Sequence, residues 1–419
     1  MRILVVGNGG REHALVWKIH QSPHVQEIFC APGNAGIASL ATCIPVEVHD
    51  IQGLCAFAKA HSIDLTVVGP ELPLSLGIVD EFQKQGLKIF GPSKQAAQFE
   101  SSKIFSKKFM KRYGIPTADF MAFEKTSQAL LFLDQTKAPW VIKADGLASG
   151  KGVRVCKTKE EAQNAVHEMM EDKAFGQSGL KIIIEDFLEG EELSYIALVD
   201  GKTYLPLASS QDHKALQDGD RGPNTGGMGA YSPAPLLTKE LERRIQKEVL
   251  DPFLHGLKAQ NMEYKGVLYV GVMVVNGNPY VLEFNVRLGD PETQPLMMRL
   301  QSDIIELFRA TLNSQLEQSH LRWSDQSALC VVLASSGYPG GYEKGKSIVG
   351  LESVAHQVVF HGGTKKGENG VLTNGGRVLS VGALGKTLQE AYHNAYEGVS
   401  KISWDGVYYR KDIGAKALS

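Results

Sequence analysis

The sequence predicts a multidomain protein of α/β and α+β class: an N-terminal domain built on a parallel sheet, a larger mixed part, and a small C-terminal α+β domain. Three observations lead there. At 419 residues the chain exceeds what one hydrophobic core usually fills. The runs RILVVG, EIFCAP, DLTVVGP and LKIFGP in residues 1–101 alternate with amphipathic helical stretches, the pattern of parallel strands with crossover helices. Beyond them, hairpin signals and isolated helices replace that alternation.

Each of the four N-terminal runs ends in Gly or Pro, so loops collect at the carboxyl ends of the strands, where open α/β sheets bind ligands. A helix carrying Phe105, Phe109 and Tyr113 stops at Gly114 and Pro116, and a domain boundary is set between residues 101 and 102. The domain from 102 to 325 begins with a small lobe at about 121–190: a helix near 126–135, the strand WVIKA, a glycine loop, VRVCK, a helix from 159, and KIIIEDFL. ELSYIALVDGKTYLPLAS reads as two strands around an Asp-Gly turn, and residues 209–235 as a long polar loop of the functional kind. A helix at 238–258, a hairpin turning at Asn276-Gly277 and a helix after 295 follow. The last domain, 326–419, holds strands near ALCVVLAS, HQVVF and RVLSVGALG and a helix at 387–402.

Composition narrows the partners. With 44 basic against 46 acidic residues and no long single-sign run, neither nucleic acid nor a membrane surface is expected. Five cysteines without a CxxC pair argue against a disulfide framework or structural zinc and fit a reducing cytoplasm. The start runs directly into a strand, and the longest apolar stretch, VLYVGVMVV, is too short for a bilayer, so a soluble protein is expected.

Four stretches carry chemistry. KADGLASGKGV resembles a phosphate loop but spaces its glycines wrongly and has Gly152 where a hydroxyl should stand. Flanked by strands on both sides, it reads as a hairpin flap: Lys143 supplies a point charge, and Gly146, Gly150 and Gly152 let the backbone approach phosphates. A flexible hairpin with a solvated lysine fits the loop alone equally well. Glu185 and Glu192 in EDFLEGEE could serve an adenine and a ribose, or form an acidic turn. In YVLEFNVRLGDPETQ, period-2 alternation puts Glu283, Asn285 and Arg287 on one face with Leu282, Phe284 and Val286 packed behind. A carboxylate and an amide oxygen beside a guanidinium suit a divalent cation on a triphosphate; a structural Glu-Arg pair is the alternative. GNGGREHA and APGNAG facing one crevice suit a sugar phosphate, and Glu12 at the third glycine position counts against a dinucleotide fold. PNTGGMGAYSP, with Thr225, offers backbone N–H groups to a small anion.

Taken in order, GNGGREHAL, APGNAG, VVGPELPL, KADGLASGKGV, EDFLEGEELS, GPNTGGMGAYSP and RLGDPETQ resemble the glycinamide ribonucleotide synthetases of the ATP-grasp superfamily along nearly the whole chain. The resemblance implies an ATP-grasp fold between the N- and C-terminal domains and ATP as co-substrate. It implies that Lys103 and Lys143 contact phosphates with the loop residues Gly146, Ser149, Gly150 and Gly152. Glu185, Phe187 and Leu188 would then meet adenine, Glu192 ribose, and Glu283 and Asn285 would hold Mg²⁺ or Mn²⁺. Arg287, Asp290 and Lys143 become the catalytic set. Gly9, Gly10, Arg11, Glu12, Gly33, Asn34, Asp212, Asn224, Thr225, Gly226, Gly227 and Met228 become substrate-binding residues for glycine and 5-phosphoribosylamine. Relatives often read Asp-His-Lys-Arg where this chain ends in Ala215, so an arginine is expected elsewhere, with Arg221 as the candidate. Many ATP-grasp enzymes place a further acidic metal ligand about a dozen residues before the Glu-x-Asn pair, where this chain has the apolar VGVMVV.

The implied reaction is ligation of glycine to 5-phosphoribosylamine through glycyl phosphate, in purine synthesis, by a monomer. No Ser-His-Asp or Cys-His arrangement is evident, in keeping with a route that needs no covalent enzyme nucleophile. Two rivals remain at this point: another ATP-grasp carboxylate-amine ligase or carboxylase, and a non-catalytic nucleotide-binding module on the same fold.

Overall fold

The computed structural model of the chain describes residues 1–147, 152–172 and 179–418. Its first sheet is parallel, in the order β3-β2-β1-β4-β5, with β1 (Arg2–Gly7), β2 (Glu27–Pro32), β3 (Thr42–Cys43), β4 (Leu65–Val68) and β5 (Ile89–Phe90). Each apolar run read from the sequence supplies one strand; only the two-residue edge strand β3 was too short to leave a signal. The chain leaves β1 toward β2 and later returns to its other side as β4. The loops after β1 and β4 therefore open at the switch point of the sheet, where a crevice forms.

The second sheet, β6-β9-β7-β8, is antiparallel: β6 (Phe120–Phe123), β7 (Trp140–Ala144), β8 (Val153–Cys156) and β9 (Ile182–Asp186). The β7–β8 pairing, with Lys143 opposite Val153, makes the glycine loop a hairpin connection. Two helices, Thr126–Gln135 and Lys159–Met170, pack on this sheet, the second started by Thr158, whose side chain accepts from the Glu161 N–H. Phe123, Leu133, Trp140, Ile142, Val166, Met169 and Ile184 form a hydrophobic core of their own, separate from the two larger clusters that run through the rest of the molecule.

Facing it is a sheet in the order β11-β10-β16-β17, from β10 (Glu191–Val199), β11 (Tyr204–Pro206), β16 (Gly266–Val275) and β17 (Asn278–Asn285). The β16–β17 turn has Asn276 at φ 49° and Gly277 at φ 76°, the paired positive values that Asn-Gly supplies with little strain. A bulge interrupts this hairpin: Gly271 pairs with Glu283 but Val272 pairs with Val281, leaving Leu282 without a partner. The extra residue shifts the alternation, so Val281, Phe284 and Val286 are buried and Leu282 turns toward the cleft. The expected packing of Leu282 behind Glu283 is corrected accordingly.

The last large sheet runs β12-β15-β18-β22-β19, with β12 (Gln211–Asp212), β15 (Gly229–Ser232), β18 (Ser327–Ser335), β19 (Val358–His361) and β22 (Arg377–Gly385), and β23 (Val407–Tyr408) pairing with β18. The helix Leu388–Lys401 covers it. Residues 209–235 are more ordered than their polar composition suggested: β13 (Ala215–Gln217) and β14 (Arg221–Asn224) form a hairpin, and β15 is buried against β18. The helix expected at 238–258 is divided by a wider π turn at Gln246–Leu250, just before Pro252, whose missing N–H interrupts the α pattern. A second small hairpin, β20 (Thr364–Gly367) with β21 (Gly370–Thr373), was not expected.

Candidate active site

Between the second and third sheets lies a cleft of about 410 Å³, and beside it, at the carboxyl end of β1, a second pocket of about 290 Å³. Lys143, at the end of β7, reaches across the cleft: its Nζ lies 3.0 Å from Glu185 of β9 and donates to the Leu282 carbonyl of β17 at 3.2 Å. Lys107, one turn into the helix Lys103–Tyr113, meets the same Glu185 oxygen at 3.1 Å. The other carboxylate oxygen of Glu185 is buried and has no hydrogen-bond partner among the described residues, leaving an acceptor at the wall. Lys103 donates to the Gly146 carbonyl at 2.9 Å and holds the root of the flap. Gly152, Phe187, Leu188 and Glu192 complete this wall, with Glu192 2.8 Å from Lys214. Ser149 and Gly150 lie outside the described residues.

The opposite wall is the β17 edge. Glu283, Asn285 and Arg287 all line the cleft, as period 2 requires beyond the bulge. Asn285 Nδ2 donates to Glu283 at 3.4 Å, and its oxygen accepts from Arg287 at 3.2 Å. Burial pushes the Glu283 carboxyl up, but Lys214, Lys103 and Lys143 outweigh burial and hold it at about 2. The group is therefore anionic at every working pH, which is the form a cation needs. Two neighbouring oxygen donors facing a cluster of lysines fit Mg²⁺ or Mn²⁺ carried on a polyphosphate. Among the described residues no group of three or more acidic, His or Cys side chains gathers to hold an ion alone, so further ligands would come from nucleotide and water. In the apolar stretch VGVMVV, Gly271 lies opposite Glu283 and Met273 stands on the cleft wall, so that stretch adds no carboxylate to the pair.

This electrostatic setting gives a direct prediction. A carboxylate with a depressed pKa loses its charge only as pH falls through the depressed value, here about 2. Affinity for Mn²⁺ in the presence of nucleotide, read by electron paramagnetic resonance, should thus weaken between about pH 8 and about pH 5.5 no more than the affinity of free nucleotide for Mn²⁺ does; a steeper fall on the protein would exclude Glu283 as a permanently ionised ligand.

Arg287 is held between Glu100 (2.8 Å) and Glu71 (3.5 Å), and these carboxylates raise its pKa against burial. Neither acid was singled out in the sequence: Glu71 follows β4 at the switch point, and Glu100 precedes the helix that carries Lys103 and Lys107. Asp290, which lines both cavities, accepts from Gln294 at 2.8 Å and lies 3.3 Å from Arg377. Burial pushes its carboxyl up, while Arg377 and Arg11 pull it below the usual range and prevail. Arg377, at the start of β22, also lines both cavities; it donates to the carbonyls of Gly226 at 2.8 Å and Asp290 at 2.6 Å. Arg221 lies outside both cavities, exposed on β14 and bonded to the Asp218 carbonyl. The candidate Arg221 thus reaches neither cavity, and the arginine that borders both is Arg377 of the C-terminal sheet.

The residues expected to bind substrates divide between the cavities. Gly9, Gly10, Gly33 and Asn34 line the second pocket; Arg11, Asp212, Asn224, Thr225 and Gly226 line the cleft. Asp212 faces Glu292, and burial together with that carboxylate raises its pKa well above the ordinary value. Three residues face neither cavity. Glu12 turns back to accept from the Gly9 N–H at 2.6 Å and from Arg11 at 2.5 Å, capping the first helix, Gly10–Ile19. Met228 is fully buried in the core, and Gly227 packs against Asp212 and Pro291 with φ 115°. The far wall of the second pocket, Gly362 to Thr364 with Asn374, Gly375 and Arg377, comes from a part of the chain whose sequence carries no site signal.

The chain matches three family models in order: the N domain of phosphoribosylglycinamide synthetase over residues 1–100, its ATP-grasp (A) domain over 101–293 and its C domain over 328–416. A phosphoribosylamine-glycine ligase of Allochromatium vinosum is 53% identical over 424 aligned residues, covering 100% of this chain and 99% of that one. Its counterpart in Vibrio parahaemolyticus is 49% identical with the same coverage. Among solved structures, the phosphoribosylamine-glycine ligase of Thermotoga maritima superposes with a TM-score of 0.86 at 35% identity, over 99% of this chain and 100% of that one. A biotin carboxylase of Campylobacter jejuni reaches a TM-score of 0.73 at 15% identity over 99% and 98% of the two chains, which shows a shared fold and nothing more. Three consecutive family models and full-length relatives at about half identity lead to one conclusion: the chain is an ATP-grasp ligase and belongs to the phosphoribosylglycinamide synthetase family.

Proposed function

We propose that the protein joins glycine to 5-phosphoribosylamine at the expense of ATP, through glycyl phosphate, as a step of purine synthesis. The single observation that carries this reading is the pair of cavities sharing one partition, Asp290 with Arg377: an activation cleft on one side and a sugar-phosphate pocket on the other. A carboxylate does not condense with an amine in water, because its anionic oxygens repel the nucleophile and oxide does not leave. Phosphorylation removes both obstacles. A glycine carboxylate oxygen attacks the γ-phosphorus, the bond to the β–γ bridging oxygen breaks, and ADP leaves. The amine then attacks the acyl carbon, the C–O bond to phosphate breaks, and the amine gives up one proton.

The chain's residues serve these steps by position and charge. Lys103, Lys143 and Arg287 neutralise the phosphoryl oxygens as charge gathers on them. Glu283 and Asn285 would hold Mg²⁺ or Mn²⁺, which when bound supplies Lewis-acid polarisation of the phosphates. Asp290, kept ionised by Arg377 and Arg11, faces the amine as proton acceptor. In the second pocket the Gly9-Gly10 turn brings the N-terminus of the first helix to the place of the 5-phosphate, with Gly33 leaving room beside it, and the amine end points to Asp290. The flap sheet, with a core of its own, is read as a lid over residues 121–190 that excludes water from the acyl phosphate. We take the domains as residues 1–101, 102–325 and 326–419. A cytoplasmic setting accords with five free cysteines and with the lack, among the described residues, of any helix long and apolar enough to cross a membrane.

Omission assays test the reading. With ATP, Mg²⁺, glycine and phosphoribosylamine present, ADP and phosphate should form in equal amounts, and leaving out glycine should abolish both. ADP release without glycine would mean that ATP is cleaved without phosphorylating glycine and would contradict the reading, and bound ATP surviving both substrates would mark a non-catalytic module.

A further inference from the structure

The second pocket is a seam. Asn8 to Gly10 and Gly33 to Asn34 form one wall, Gly362 to Thr364 with Asn374, Gly375 and Arg377 the other. One run of hydrogen bonds stitches the two walls. On the first helix, His13 Nδ1 accepts the backbone N–H of His361 at 2.7 Å. The His361 carbonyl accepts from Asn34 Nδ2 at 2.7 Å, and the same amide donates to the Asn8 carbonyl at 2.8 Å. The His361 ring nitrogen Nδ1 meets Thr364 Oγ1 at 3.1 Å. Asn8, Asn34 and Thr364 line the pocket, while neither histidine does. The two imidazoles lie 5.6 Å apart, and Gly36 packs so closely against both that no β-carbon fits there. Burial pushes His13 down to about 3, with His361 adding to the fall, and pushes His361 down to about 4. Both rings are neutral, and Nδ1 of His13 is free to accept. The ligation chemistry described above uses neither ring.

We propose that His13 and His361 are positioning residues: the acceptor on His13 sets the Gly362–Thr364 turn against the Asn8 and Asn34 turns, and so fixes the width of the pocket for the phosphoribosyl group. A ring that only filled space would not need an acceptor aimed at one backbone N–H. The proposal rests on the assignment of this pocket to phosphoribosylamine, and its test separates the two claims. His13→Phe keeps a ring but removes the acceptor, leaving the His361 N–H buried without a partner. His13→Asn restores an acceptor oxygen near the place of Nδ1. Asn374→Ala trims the pocket wall without touching the stitch.

For His13→Phe, the KM for phosphoribosylamine should rise about tenfold, while the KM values for ATP and glycine stay within about twofold. His13→Asn should recover most of that loss. If Asn374→Ala raises the KM for phosphoribosylamine but His13→Phe does not, the positioning role is overturned and the pocket assignment stands. If neither variant moves it, the assignment fails and takes the proposal with it. If His13→Phe raises all three KM values together with a lower Tm, or His13→Asn rescues nothing, the bond is only a fastening of the fold and the proposal is overturned.

Discussion

Glu283→Ala should lower kcat by about a thousandfold while changing Tm little. The carboxylate lies on the cleft edge of β17 among Lys214, Lys103 and Lys143, and those lysines, not packing, keep it ionised. Removing it takes away an oxygen ligand and leaves three like charges less well balanced, a cost that solvent in the open cleft moderates. The β16–β17 hairpin keeps its Asn-Gly turn and its buried Val281, Phe284 and Val286. A variant that unfolds, or one that keeps near-normal turnover with Mg²⁺, would show that Glu283 is a structural acid. Glu283→Gln sharpens the comparison, since it preserves shape and loses only charge.

Arg287→Met should fail in a different way. Here both stability and turnover fall, because the guanidinium lies between Glu100 and Glu71, and Glu100 is almost wholly buried. Removing one partner of a buried pair leaves an uncompensated charge, at a cost of about 3 kcal/mol. The sign of the pH dependence follows from Glu100. Burial already raises its pKa in spite of Arg287, and without the arginine it rises further. An acid whose folded pKa exceeds its unfolded value makes the fold bind protons more tightly, so stability is lost as pH rises through that folded value and regained on acidification. The variant's urea midpoint should therefore increase as pH falls from about 7.5 toward about 5, more than that of the wild type. Glu100→Gln combined with Arg287→Met should restore most of the stability and none of the activity. If the double variant regains turnover, Arg287 is a fastener of Glu100 and not a phosphate ligand.

These contrasts show where the sequence was informative. Strand β17 announced itself because alternation separates polar from apolar residues over the six positions from Leu282 to Arg287, and the flap because two strands bracket its glycines. What alternation cannot show is a bulge, since one extra residue at Leu282 leaves the local composition unchanged. The four N-terminal strands were legible as apolar runs, while the hairpins in residues 209–235 were not, because short polar strands gain their order from β18 and from the Arg410 side chain bonded to the Ala215 carbonyl. Arg377 was missed for a topological reason. It meets Asp290, 87 positions earlier in the chain, and the Gly226 carbonyl, 151 positions earlier, through sheet pairing that no local pattern encodes. Glu71, Glu100 and Glu292 were missed because a lone carboxylate in a loop or helix looks like a solvated one until burial is known. The reverse holds for Glu12 and Met228, which stand in glycine-rich motifs yet turn away from the cavities to cap a helix and fill a core.

The central claim is that the cleft activates a carboxylate by phosphorylating it and that the partition hands the acyl group to an amine. Isotope transfer addresses this most directly. With glycine carrying ¹⁸O in both carboxylate oxygens, one of those oxygens should appear in the inorganic phosphate and the other in the amide of the product. Phosphate free of ¹⁸O, released in step with product, would mean that the carboxylate never attacks the γ-phosphorus and would contradict the account.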